Sequence, residues 1–215
     1  MEFLTSSAWG AVGAVATLIQ AIAVIFSVIY ISRQISAERK QAKINRTASF
    51  YESIYFTEIK QPLKELRLML FAEENVGKVL AEEERESPGK FEKTMENLKE
   101  LVSFFATVDI NTKVDIMDRD VVMQRSDTSI LRCYLAVMYI LPQLKKAELM
   151  SDKWLFHLTA LAAYACEFYK DRPKSEQQFK EAFLSQVEER LEVAIREKWP
   201  QLARKKRLPR WLRLR

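Results

Sequence analysis

The sequence predicts an all-α protein: a single-pass N-terminal transmembrane helix continuous with a cytosolic multi-helix domain. Three observations carry that expectation. Glycine and proline are scarce, four and six among 215 residues, while Ala, Leu, Glu and Lys, all strong helix formers, abound. Phe3 to Ser32 is a run of thirty residues without a formal charge. Beyond it, apolar residues return at three- and four-residue spacing, as one buried face of a helix requires. No internal repeat and no strand pattern stands out.

The first element is the membrane helix, residues 8–32. A helix crosses the hydrocarbon core with roughly 20 residues, and Ala8 to Ser32 supplies 25. A cleaved signal peptide would carry positive charge ahead of a shorter apolar run and small residues at its end. Here the only early charge is Glu2, and bulky "VIFSVIYIS" stands where cleavage would fall. A retained helix is therefore expected. Arg33, Arg39, Lys40, Lys43 and Arg46 follow it, which places the N-terminus outside and the bulk in the cytoplasm.

One face of this helix differs from the rest. Alternate steps of three and four from Gly10 reach Gly13, Thr17, Gln20, Val24, Ser27, Ile31, Gln34 and Glu38. Within the membrane, every position on that row except Val24 is small or polar up to Ser27. The far side reads Val12, Val15, Ile19, Ile22, Phe26 and Ile29. The 3-4 spacing is the seam of a left-handed helical bundle, in which small residues permit close approach and polar ones bond across helices. A Gln amide in hydrocarbon needs a partner, and the simplest is Gln20 of another copy. A homo-oligomer follows, with four copies the expected number. The same row admits a dry contact or a ring of Thr17, Gln20 and Ser27 lining a path that wets.

Residues 33–60 read as a juxtamembrane helical lever, ending before Pro62 because the residue ahead of proline resists helix. Residues 61–200 form the cytosolic domain. Its expected helices cover Leu63–Glu86, then "FEKTMENLKELVSFFATVDI" after a turn at Ser87–Lys90, then a helix from about Asp127 to Pro142. A fourth opens at Ser151 or Asp152 as N-cap, and a last runs from Ser175 to Trp199 with Phe179, Phe183, Val187 and Leu191 on one stripe. Cys133 and Cys166 lie in apolar helical stretches, as buried reduced thiols do.

The charge is uneven. Residues 47–202 carry a net −5, although the whole chain carries +5. The excess sits at the membrane exit and in the basic tail, residues 201–215, with Arg204, Lys205, Lys206, Arg207, Arg210, Trp211 and Arg213. Such a tail suits anionic headgroups, or a nucleic acid whose phosphates its cations neutralise and whose bases stack on Trp211.

Chemistry-bearing constellations are sparse. With four dispersed glycines, no phosphate-cradling loop can be assembled. His157 is the only histidine, and a structural role is expected of it. Asp109, Asp115, Asp118 and Asp120 lack the glycine and glutamate of a calcium loop, so capping by Asp115 or Asp118 is the better account. No catalytic residue, metal ligand or cofactor is expected, and the chain does not read as an enzyme. A ligand could be held by Arg125, Arg132 and Tyr139, with Ser129, on the side of their helix opposite its apolar stripe. Arg172 and Lys174 are similar candidates.

Trp9, "LIQAIAV", "SRQISAERKQA" leading into Phe50, "LVSFFATVDI", "DIMDRD" and "CYLAVMYILPQL" together carry a resemblance. Over residues 9–145 the chain resembles a bacterial family of small defence-associated membrane effectors, the Hailong type. That resemblance implies an inner-membrane oligomeric channel whose opening depolarises the cell. It also implies a gating ligand, a single-stranded oligonucleotide or nucleotide made by a partner nucleotidyltransferase. The alternative is a membrane-anchored adaptor that recruits a protein or nucleic acid and whose seam stays dry.

Overall fold

The computed structural model describes residues 2–53, 59–70, 76–173 and 181–204, and all the regular structure there is helical. It divides into two units, residues 1–45 and 46–215.

The first unit is helix α1, Glu2–Phe50, up to residue 45. Val15, Leu18, Ile19, Val24, Phe26 and Val28 lie on more than one side of it at 100° per residue, and each leaves more than half of its surface uncovered. A helix this apolar, with no charged face from Phe3 to Ser32, does not have the amphipathic pattern of a surface helix on a water-soluble core. Among the described residues, this one helix is long and apolar enough to cross a membrane.

The second unit is built around three long helices: α4 (Pro88–Lys113), α5 (Arg119–Tyr139) and α7 (Asp152–Lys170). α5 packs on α7 and α4, and α7 packs on α4. Shorter helices close the remaining sides: α2 (Lys60–Leu70), α3 (Val76–Glu86), α6 (Leu141–Lys146) and α8 (Glu181–Val193). A π-helical turn at Ala194–Lys198 leads into α9, Pro200–Arg204. Leu101, Phe105, Leu131, Tyr134, Leu158 and Tyr169 are fully buried where the three long helices meet. Ala160, Ala162, Ala163 and Ala165 keep α7 thin enough to lie close against its neighbours. Phe183, Val187 and Leu191 form the buried stripe of α8; Phe179 lies outside the described residues.

Helix limits differ from the sequence reading in four places. α1 is α-helical only to Phe50, and a π turn follows at residues 51–53, so the lever does not run as one regular helix to Ile59. α2 starts at Lys60, not Leu63: Pro62 sits in its first turn, where its missing N–H costs nothing. Ser87–Lys90 is not a turn but a helix start, with Ser87 as N-cap and Pro88 as the first helical residue. α5 begins at Arg119, eight residues before Asp127, because Asp118 Oδ1 accepts from the N–H groups of Asp120 (3.1 Å) and Val121 (3.2 Å). Asp115 stops α4 in the left-handed conformation, φ 64°, and Ile116 N–H closes back on Asn111 O at 2.9 Å. Ser151 caps α7 through Trp154 N–H at 3.3 Å.

Candidate functional site

Within α1, Gly13, Thr17, Gln20, Val24 and Ser27 are all exposed. Their polar groups are not equivalent. Thr17 Oγ1 donates to Gly13 O at 2.9 Å, and Ser27 Oγ donates to Ala23 O at 2.8 Å. Each hydroxyl is thus satisfied by its own helix, as Ser and Thr are in apolar surroundings. A Gln side chain places its amide too far from the backbone for that device, and Gln20 finds no hydrogen bond among the described residues. Its amide brings two donors and an acceptor to an otherwise apolar surface. Nothing is added around Gly13: a methyl group there would meet no atom within 4 Å. Gly10 belongs to the same helix; its surroundings lie outside the described residues.

The last turn of α1 belongs to the domain. Thr47 is fully buried, and its Oγ1 accepts from Asp118 N–H at 2.8 Å. Phe50 stacks on Phe104 of α4 with ring centres 5.8 Å apart, and Tyr51 meets the same ring edge-on. One polar anchor and two aromatic contacts therefore fix this turn to α4 and to the start of α5.

Beside it opens a groove of about 600 Å³ lined by Phe50, Ile59, Lys99, Glu100, Ser103, Phe104, Thr107 and Trp154. It offers aromatic surface for a planar group, hydroxyls for polar edges, and one cation, Lys99, balanced by the carboxylate of Glu100. Sequence reasoning missed it. The signal was present, since Lys99, Ser103 and Thr107 succeed one another at i, i+4 and i+8, a polar stripe on α4 opposite its apolar face.

Arg125, Arg132 and Tyr139, grouped from sequence as ligand-holding residues, do not share one exposed surface. Arg125 is exposed, whereas Arg132 and Ser129 are buried. Tyr139 is half-buried; its hydroxyl donates to Gln186 Oε1 at 3.0 Å, and the Arg190 guanidinium lies over its ring. Fourteen helical residues separate Arg125 from Tyr139, about 20 Å along the axis. Arg172 Nη2 sits 2.8 Å from Asp127 Oδ2, a coulombic contact rather than an aligned hydrogen bond, with the guanidinium near Phe168. Burial holds the Asp127 carboxyl above the ordinary range even though Thr128 N–H and Arg172 pull it down. Lys174 and the tail from Lys205 onward lie outside the described residues, as does the side chain of Arg204. The side of α5 opposite the apolar stripe is only partly a solvent face: Arg125 is exposed there, whereas Ser129 and Arg132 are buried.

His157 has a partner after all. Its Nδ1 lies 2.7 Å from Asp109 Oδ2, so the Nδ1–H tautomer donates to that carboxylate. Lys113 Nζ bonds the same oxygen and rests over the Phe156 ring. Asp109 is wholly buried, and its Oδ1 has no hydrogen-bond partner among the described residues. The group ties α4 to α7. Cys133 and Cys166 are free and buried; burial raises both thiols, that of Cys166 to about 11.

No protein-family model, curated protein or solved structure was found to match the chain.

Proposed function

We propose that this chain is a homo-oligomeric membrane effector of bacterial antiphage defence, a ligand-gated ion path in the inner membrane whose domain reads a nucleotide or single-stranded oligonucleotide signal. The observation that carries the reading is Gln20: an exposed amide that finds no hydrogen bond among the described residues, in the middle of a helical run without a formal charge. Lipid cannot satisfy it, and a neighbouring copy can. The resemblance of residues 9–145 to Hailong-type effectors supplies the signal and the consequence of opening. The groove at Phe50, Lys99, Phe104 and Trp154 supplies a place for the signal to act, because it borders the last turn of α1. A ligand gates only if it binds the closed and open arrangements with different affinity.

One observation favours the second reading, an anchored adaptor with a dry seam. Both seam hydroxyls already bond their own helix, so they offer little to water. Membrane potential separates the two. Cells expressing the wild-type chain depolarise under an inducing signal, and Gln20→Leu cells do not. If wild type leaves the potential untouched under every inducing condition while remaining oligomeric, the adaptor is the answer. If the detergent-solubilised particle has the mass of one chain, both readings fall.

A further inference from the structure

α1 carries its small and polar row beyond the apolar span. Gln34, Glu38, Gln41 and Asn45 continue the 3-4 spacing, all four are exposed, and they pair along the row. Gln34 Nε2 donates to Glu38 Oε1 at 3.1 Å, and Gln41 Nε2 donates to Asn45 Oδ1 at 3.0 Å. Arg33, Arg39, Lys40 and Lys43 lie elsewhere on the cylinder, each more than about 80° round from every member of the row at 100° per residue. Ile31, on the row at the end of the charge-free run, leaves 52% of its surface uncovered, and Ile35, between the row and Arg39, leaves 44%. Parallel copies of a helix with four cations on one side can approach closely only on the other side. That side holds the amide row and Ile31.

We propose that the face on which copies meet continues out of the membrane along Gln34, Glu38, Gln41 and Asn45, so that the Glu38 carboxylates of all copies surround one axis and give the path a preference for cations. The inference rests on the oligomeric reading of Gln20. Glu38 is the only acid on the row, and symmetry multiplies it. In one chain it is a surface carboxylate, while around an axis it becomes a ring of like charges that hydrated cations must screen. The Gln34 bond occupies Oε1 and leaves Glu38 Oε2 and the Gln34 carbonyl as hard oxygen acceptors, suited to alkali or alkaline-earth cations. The four cations face outward, away from the path.

The test uses the full chain in membranes with single cysteines introduced by Glu38→Cys or Lys43→Cys. Cys133 and Cys166 stay in place, since both are buried and their thiols are held protonated. Oxidation is expected to join copies of Glu38→Cys and to leave Lys43→Cys unjoined. In planar bilayers under a KCl gradient, wild type is expected to favour K⁺ over Cl⁻ by about tenfold, and Glu38→Gln to bring that ratio to about one. Cross-linking through Lys43→Cys but not Glu38→Cys, in an intact oligomer, overturns the inference and spares the Gln20 contact. Cross-linking at Glu38→Cys with no current, or with a reversal potential that Glu38→Gln leaves unmoved, overturns the cation ring and spares the assembly. A single-chain mass with no cross-link at either position ends both.

Discussion

α1 and α5 both set polar side chains among apolar ones, and they resolve the conflict in opposite ways. In α5, Asp127 is buried and meets Arg172 from beyond α7, and six other helices pack on this one. In α1, Gln20 and its neighbours are uncovered, and among the described residues nothing bonds Gln20. The domain is complete as one copy. On the proposed reading, lipid and other copies supply what α1 lacks. A buried polar group must have a partner in either setting, and the difference lies in whether that partner is encoded in the same molecule.

The comparison breaks most visibly at Asp109. Asp109→Ala strands His157 and Lys113 at the boundary of α4 and α7, and removing one member of a buried charged group costs about 3–5 kcal/mol. Denaturant unfolding of the full chain in micelles should show that loss, with the particle mass unchanged wherever the chain stays folded. A loss under about 1 kcal/mol would mean that the group is wet and does not tie the helices.

Gln20→Leu should do the reverse. Interhelical hydrogen bonds in lipid are worth about 1–2 kcal/mol, so assembly should weaken roughly tenfold while domain unfolding is unaltered. Thr17→Val sharpens the point, because its hydroxyl bonds Gly13 O and its removal should leave assembly as it was. Equal losses from both variants would show that the row acts as a polar surface rather than through the one amide.

Asp118→Ala tests the start of α5 alone, because the backbone N–H that reaches Thr47 Oγ1 stays in place. It removes the α5 cap and should cost about 1 kcal/mol, read as a lower unfolding midpoint. The smallest effect belongs to Asp152, an exposed carboxylate that takes Lys198 Nζ at 2.6 Å and Lys145 Nζ at 2.9 Å. Those bonds, Lys198 first, hold its carboxyl below the ordinary 3.8, so its contribution is present above that pH and fades as pH falls through the lowered value. At neutral pH, Asp152→Asn should cost no more than about 0.5 kcal/mol, a difference that vanishes on acidification.

Several of these features were legible in the linear order of residues. The charge-free run, the polar row and the buried stripe of Phe183, Val187 and Leu191 are periodic patterns that need no knowledge of neighbours. The first half of α5 was not legible. "RDVVMQRSDTS" reads as a solvated stretch, yet Ser126, Asp127 and Ser129 are buried, because the helix lies between α4 and α7 with shorter helices packed against it. Nor could spacing show that His157 would reach Asp109 across 48 positions, or that Phe50, Lys99 and Trp154 would border one groove.

By itself, the order of residues determined that this is a helical protein and that one helix is uncharged over thirty residues, with a small and polar row along one face and an amide at its middle. Those properties arise from each residue's own propensity and from repetition at the helical period. Only the tertiary structure decided which charges meet, which arginines are taken up inside the domain, and how the last turn of α1 is held through Thr47 and Phe50. Such pairings join positions tens of residues apart, and packing selects them because a charge or an amide taken from water must find its partner wherever the fold brings one.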